Sequence, residues 1–219
     1  MPFGREVLIA TVLGVSFLGA VRAQALETDV VVLPKSIYRS SLELHVSVPV
    51  VDEEIAGNVE YDTAYTGELV WRPPHPFPPR DLINLHIGIG LAGTYQEGEL
   101  DDGTRILEYT AGTLRYHLGA DFDFTQNLRL VVVPFIGLGL ARLDITEEEE
   151  IQPVDEVDLA WEAGLRVGGE VTFGNFTIGA GGIARVLNST HDFVVGSGLV
   201  ETNVEQDTIE AYGMIGWTF

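Results

Sequence analysis

"LRYHLGADFDF", Leu114 to Phe124, alternates without a break: Leu114, Tyr116, Leu118, Ala120, Phe122 and Phe124 lie on one side of an extended chain, and Arg115, His117, Asp121 and Asp123 on the other. A period of two is that of a β-strand, because successive side chains of a pleated chain point to opposite faces. One face is apolar throughout and the other is charged. Such a strand separates two unlike environments.

The pattern recurs along the chain. In "LELHVSVPV" Leu42, Leu44, Val46, Val48 and Val50 oppose Glu43, His45 and Ser47, and in "VEYDTAYTGELVWR" Val59, Tyr61, Tyr65, Leu69 and Trp71 oppose Glu60, Asp62, Glu68 and Arg72. "INLHIGIGLAGTY", "VDLAWEAGLRVGGEVTF", "FTIGAGGIARV" and the terminal "IEAYGMIGWTF" behave likewise, whereas "LRLVVVPFIGLGLARL" is apolar on both faces and leaves its facing open. Eight strands result, at roughly 38–50, 59–72, 82–96, 105–124, 128–144, 156–173, 176–187 and 208–219. Several reach or exceed the roughly nine to eleven residues that cross a bilayer at a tilt. Pro134 removes a ladder donor from the fifth strand, so a bulge or bend is expected there.

Composition narrows the possibilities. The 219 residues include 12 Lys and Arg against 33 Asp and Glu, for a formal charge of -21. A nucleic-acid partner is excluded, since phosphates need a basic surface. There is no cysteine, hence no disulfide, thiol nucleophile or zinc–thiolate site. Residues 1–23, or 25 at the furthest, read as a cleaved signal peptide: one Arg, an apolar run from Val7 to Val21, then small residues at Ala23 and Ala25. Residues 24–219 then form a single domain, and no apolar run in them approaches the roughly 20 residues of a membrane helix.

A closed, antiparallel, up-and-down eight-stranded β-barrel accounts for the alternation. Periodicity alone does not say which face is inside; three further features point to an apolar exterior. Aromatics such as Tyr61, Trp71, Tyr95, Tyr109, Trp161, Phe173, Phe176 and Trp217 are grouped with the apolar face, near strand ends, as in the interfacial girdles of membrane barrels. The polar face is rich in glycine, among them Gly88, Gly90, Gly119, Gly137 and Gly164, which leaves room for long charged side chains in a narrow bore. The connections alternate between acidic, mostly longer ones such as "EGELDDG" and "TEEEEIQPVDE" and clipped ones such as "TQN" and "GN". The stretch from about Asn188 to Gln206 is read as the last long connection, and "PPHPFPPR" as a stiff one on the opposite side.

With its signal peptide, eight amphipathic strands and a final strand ending on Phe219, the chain resembles the small outer-membrane β-barrel proteins of Gram-negative bacteria, the group of the OmpA-type transmembrane domain and OmpX-like proteins. The resemblance implies an outer-membrane location, contact with membrane lipid and lipopolysaccharide, and a monomer. It also implies that Ala211, Gly213, Ile215, Trp217 and Phe219 act as the signal read by the barrel-assembly machinery.

Candidate sites follow from parity. Glu68, His86 and His117 point inward on neighbouring strands, as a polar plug or, alternatively, a metal or acid–base site. Asp123, Arg129 and Glu170 near the turns, and Glu162, Arg166 and Arg185 further in, are expected to fill the lumen as ion pairs, since buried charges need partners. Ser189, His191 and Glu201 at the outer rim supply the residue types of a lipid-acting hydrolase. The acidic connections suit weak Ca²⁺ or Mg²⁺ binding or a simply solvated surface. No cofactor is implied. The favoured function is a structural or surface-interaction barrel with a closed lumen; a lipid-modifying enzyme and a narrow pore or small-ligand carrier are the alternatives.

Overall fold

The computed structural model describes residues 39–51, 59–74, 83–100, 106–146, 151–153, 157–195 and 198–219. Residues 1–25, read above as a signal peptide, "PPHPFPPR" after Pro74, and most of the acidic connections lie outside the described residues, as do the side chains of Tyr61, Glu60, Asp62 and Glu201.

The strands are β1 (Ser41–Val51), β2 (Val59–Arg72), β3 (Ile83–Leu100), β4 (Ile106–Asp123), β5 (Leu128–Thr146), β6 (Ile151–Pro153), β7 (Asp158–Phe173), β8 (Phe176–Val195) and β9 (Gly198–Thr218). Eight of them pair antiparallel with their sequence neighbours, and β9 pairs with both β8 and β1, closing the sheet into a barrel. The short β6 lies beside β8 at Phe193–Val195, beyond the point where β7 pairs with it, and so continues that side of the ladder. Where all eight long strands overlap, closure leaves no open edge among the described residues, so the strand backbones there satisfy one another.

The barrel is inside-out relative to a water-soluble one. Glu43, Glu68, Arg115, Glu162, Arg166, Glu170, Arg185 and Glu210 are buried, while Leu44, Leu91, Tyr116, Leu138, Trp161 and Ile215 are exposed, Leu138 to 69 %. The facing of β5 that the sequence left open is settled: Val131, Val133 and Phe135 point inward, and Ile136, Leu138 and Leu140 outward. Tyr109 departs from expectation. It is 1 % exposed and lies within the lumen, where its odd-numbered parity with Arg115 and His117 puts it; grouping it with the outer aromatics weighed residue type over position.

Pro134 introduces no bulge. Its pairing with Leu165 on β7 is in register, and on the β4 side the ladder lapses between His117↔Phe135 and Ala120↔Val132 and resumes unshifted. A missing N–H costs pairing on one side only, and the strand absorbs it without an inserted residue. The register shifts fall instead between Pro49 and Val51 and between Tyr61 and Thr63, toward the end of the barrel where the longer connections leave.

The largest difference concerns the last hairpin. Residues read as a long connection are strand: β8 and β9 pair from Phe176↔Trp217 to Val195↔Gly198, leaving residues 196–197 as the link. The alternation there is polar on both faces, with Ser189 and His191 inward and Thr190 outward, so hydropathy gives no contrast. The two-residue spacing between valine-rich runs is the signal that identifies the hairpin.

At the opposite, turn end, Thr125 Oγ1 accepts hydrogen bonds from the backbone N–H groups of Asn127 and Leu128 at 3.2 and 3.0 Å. Gly174 takes φ +64° in the two-residue turn between Phe173 and Phe176. A Cβ there meets nothing within 4 Å, so only the backbone conformation demands glycine. Gly174→Ala is expected to lower the unfolding free energy by about 1–2 kcal/mol, the cost of a left-handed non-glycine residue, in urea titrations of the folded barrel.

Candidate functional site

The lumen is filled by three tiers of polar side chains. At the turn end Arg72 reaches Glu43 (Nε to Oε1, 2.9 Å) and Glu170 (Nη2 to Oε1, 3.4 Å), and the half-buried Arg129 donates to Glu170 Oε2 at 2.7 Å and approaches Asp121 at 3.5 Å. Asp123, beside Arg129 in register, accepts a hydrogen bond from Asn84 at 2.7 Å. A cavity of about 40 Å³ opens among Arg39, Arg72, His86, Asp121 and Arg129. His86 Nδ1 is 3.2 Å from Asp121 Oδ1, but neither atom has a well-aligned hydrogen-bond partner in the protein. Such a polar cavity suits bound water.

In the middle tier Arg115 grips Glu162 with two parallel bonds of 2.7 Å, Nε to Oε1 and Nη2 to Oε2. Paired, planar contact of this kind is the strongest form of carboxylate recognition. Thr113 donates to the same carboxylate, and the Arg115 guanidinium lies 4.7 Å from the centre of the Phe135 ring. Glu68 accepts from His117 Nε2 at 2.7 Å and from Arg115 at 3.3 Å. Arg166 Nη1 stands 3.0 Å from His45 Nδ1. A guanidinium can only donate, so His45 Nδ1 is the acceptor, and its protonated Nε2 donates to Glu43 at 3.1 Å. Arg185 joins this tier to the loop end through Glu210 at 2.6 Å, Glu162 at 3.5 Å and Thr94 at 2.9 Å.

Several of these contacts cross the bore. Arg166 on β7 reaches Glu68 on β2 at 3.7 Å, Arg72 on β2 reaches Glu170 on β7, and Arg185 on β8 reaches Thr94 on β3. Each joins strands four places apart in a ring of eight, which is diametrically opposite. The five arginines Arg72, Arg115, Arg129, Arg166 and Arg185 face seven carboxylates: Glu43, Glu68, Asp121, Asp123, Glu162, Glu170 and Glu210. The difference of two falls in a network where His45, His86 and His117 each lie within 3.2 Å of a carboxylate.

Of the three residues considered for a metal site, Glu68 and His117 come together and His86 does not join them. His86 pairs in register with Gly119, and His117 with Gly88, so the two rings are offset along the ladder rather than opposite. Among the described residues no three His, Asp or Glu side chains converge as a metal-holding group. Glycine makes the Glu68–His117 contact possible: a Cβ on Gly90 would collide with the Glu68 carboxylate and stand 2.9 Å from His117 Nε2.

The third tier, at the loop end, is a line of hydroxyl, imidazole and carboxylate. Ser189 Oγ is 2.9 Å from His191 Nε2, and His191 Nδ1 is 2.7 Å from Asp158 Oδ2. Tyr109 OH is 3.1 Å from Ser189 Oγ, and its ring meets the His191 ring edge-on at 6.1 Å. Ser189 and His191 are thus adjacent, as the sequence suggested, but they face the lumen rather than the lipid side, at 1 % and 3 % exposure. Among the described side chains the carboxylate that His191 meets is Asp158. The backbone of Glu201 pairs with Asp192 on the same hairpin. Asp158 was already legible as an inward residue of its strand, four positions before Glu162, and register rather than sequence proximity brings it to His191. Sequence reasoning also passed over Arg115, Glu43, Arg72, Asp121 and Glu210 as ion-pair partners, although parity marks each as inward.

No family model matches the chain, and no curated protein does. Among solved structures it is similar to the outer membrane protein Ail of Yersinia pestis, determined in a phospholipid bilayer nanodisc, with 17 % identity over 83 % of this chain and 99 % of that one and a TM-score of 0.32. It is also similar to the outer membrane protein AlkL, determined in DMPC bilayers, with 13 % identity over 88 % of this chain and 94 % of that one and a TM-score of 0.32.

Glu162 holds two arginines, so its removal takes from Arg115 its paired 2.7 Å contacts and leaves it only Glu68 at 3.3 Å, while Arg185 keeps Glu210. Glu162→Ala is expected to cost about 3–5 kcal/mol of unfolding free energy, as breaking a buried pair does. Asp144→Ala, at the exposed Arg142–Asp144 pair, is expected to cost under about 1 kcal/mol in the same urea titration.

Proposed function

We propose that the chain is an integral outer-membrane barrel with a closed lumen, serving a structural or surface-interaction role. The observation that carries the reading is the inverted surface: an apolar belt outside and mutually paired charges within. Leu42 to Val50 on β1 presents apolar side chains at every second position. Eight residue rises of about 3.3 Å, tilted by about 40°, cover roughly 20 Å along the barrel axis. On β9 the belt runs from Ile209 to Phe219, about 25 Å by the same arithmetic, which matches the apolar band of outer-membrane barrels. Exposing that much hydrocarbon to water would be costly; facing lipid, it is favourable.

The girdles support the same orientation. Trp71, Phe173, Phe176, Trp217 and Phe219 ring the turn end from outside, and Trp161 and the stacked pair Tyr65–Tyr95, centroids 5.4 Å apart, lie toward the loop end. Indole and phenol rings favour the headgroup level. In this reading the turn end faces the periplasm, and the acidic connections meet the medium, lipopolysaccharide and its divalent cations. The outward set Ala211, Gly213, Ile215, Trp217 and Phe219 then serves both as lipid contact and as the strand offered to the barrel-assembly machinery, in a monomer. The cross-bore ion pairs favour a plug over a pore.

The expected behaviour is extraction only with detergent, and faster migration of the unheated than of the boiled protein on a denaturing gel. A protein freely soluble without detergent would overturn the membrane assignment. In planar bilayers the folded barrel is expected to give a flat current trace; steady single-channel openings would remove the closed plug while leaving the membrane assignment intact.

A further inference from the structure

We infer that Ser189, His191 and Asp158 form a hydrolytic relay at the loop end of the lumen, acting on small water-borne carboxylic esters. The argument begins with the direction of the hydrogen bonds. A carboxylate only accepts, so His191 Nδ1 carries the proton and donates to Asp158 Oδ2 at 2.7 Å. The lone pair of Nε2 is then directed at Ser189, whose hydroxyl donates to it at 2.9 Å. Tyr109 OH donates to Ser189 Oγ at 3.1 Å, completing one directed chain. This is the order of acid, imidazole and hydroxyl that raises the nucleophilicity of a serine, and it is recognised by geometry rather than by sequence position.

A simple plug would not need that order. His45 is held between an arginine and a glutamate, and His117 hydrogen-bonds Glu68. Among the described residues His191 is the one imidazole with a hydroxyl on one nitrogen and a carboxylate on the other. Tyr109 belongs to a buried apolar cluster with Ala111, Ala141, Ala160, Leu187 and Val204, of which Ala160 and Val204 flank Ser189 in register on the two neighbouring strands. Low polarity strengthens each charge interaction in the relay. Its acid end reaches the surface, because the Asp158 side chain is 18 % exposed. Ser189 faces the bore, away from the apolar belt, and is 1 % exposed, so an ester comes from water at the loop end rather than from the lipid and reaches Oγ only as the neighbouring lumen side chains give way.

The chemistry balances with water as co-reactant. Ser189 Oγ bonds to the acyl carbon while its proton passes to His191 Nε2, and Asp158 stabilises the imidazolium. The ester C–O bond breaks, the leaving alkoxide takes that proton and departs as the alcohol, and the acyl group stays on Ser189. Water then adds to the acyl carbon, giving a proton to Nε2; the bond to Ser189 breaks and Oγ recovers the proton. The net change is ester plus water to carboxylic acid plus alcohol.

The test uses the full barrel refolded in detergent, with a small fluorescent fluorophosphonate and p-nitrophenyl acetate as probes. Expected are covalent labelling that peptide mass spectrometry maps to Ser189, and p-nitrophenolate release above background. Both are lost in Ser189→Ala and His191→Ala, and release falls by orders of magnitude in Asp158→Asn. Ser47→Ala, which removes a lumen hydroxyl bonded to Glu210 with no imidazole, keeps both signals. Heat-shifted gel migration confirms that each variant is folded, with His191→Gln replacing His191→Ala if the latter is not. A folded parent that takes no label and releases nitrophenolate at the background rate overturns the inference, as does labelling that survives loss of His191. Faster consumption of bilayer phospholipid esters than of p-nitrophenyl acetate would overturn the water-borne substrate.

Discussion

Closure of the sheet through β9 is the constraint on which everything else depends. Because β9 pairs with β8 along its length and with β1 from Ser41 to Val51, the face of every strand is fixed relative to a single enclosed axis. Away from the two register shifts, a side-chain period of two then sorts residues into those that share the bore and those that share the belt. A bore only eight strands wide brings long side chains within reach of the opposite wall. Arg72, Arg166 and Arg185 span it, and their partners Glu170, Glu68 and Thr94 sit on the far strands.

Desolvation explains why the contents are networks rather than isolated pairs. A buried ion pair recovers its desolvation cost only when further hydrogen bonds satisfy the remaining lone pairs and protons. Glu162 illustrates the point, with Arg115, Arg185 and Thr113 all on one carboxylate. Glycine on neighbouring strands supplies the volume those groups occupy, as Gly90 does beneath Glu68 and His117 and Gly119 does beneath the His86 ring. In the proposed membrane setting the apolar belt needs no such care, because lipid asks only that a residue be apolar and about the right size.

The barrel was legible in the sequence because its two faces contrast strongly wherever the belt runs: Leu114 to Phe124 alone gives period, facing and strand identity. Legibility failed where the contrast disappears. Between Asn188 and Asp192 both faces are polar and Phe193–Val195 is an unbroken apolar run, so two paired strands read as a connection; on β5 both faces are apolar, so the facing stayed open. Which charges meet was beyond sequence, since a contact such as Arg166 to Glu68 depends on the ring, not on neighbouring strands. For the same reason Asp158 was not foreseen beside His191: it arrives by the register of β7 against β8, not by nearness along one hairpin.

The cross-bore contacts also bear on the order in which the molecule takes shape. Arg72 and Glu170 are 98 positions apart, and Arg185 and Thr94 are 91 apart. Hairpins can form locally and early, and there Arg72 meets Glu43 and Arg185 meets Glu210 on an adjacent strand, but the contacts across the bore wait until strands from both halves of the chain are present together. Neutralisation of the interior thus has a local part, made within pairs of adjacent strands, and a part that only the closed ring supplies, where Arg72, Arg166 and Arg185 reach the opposite wall.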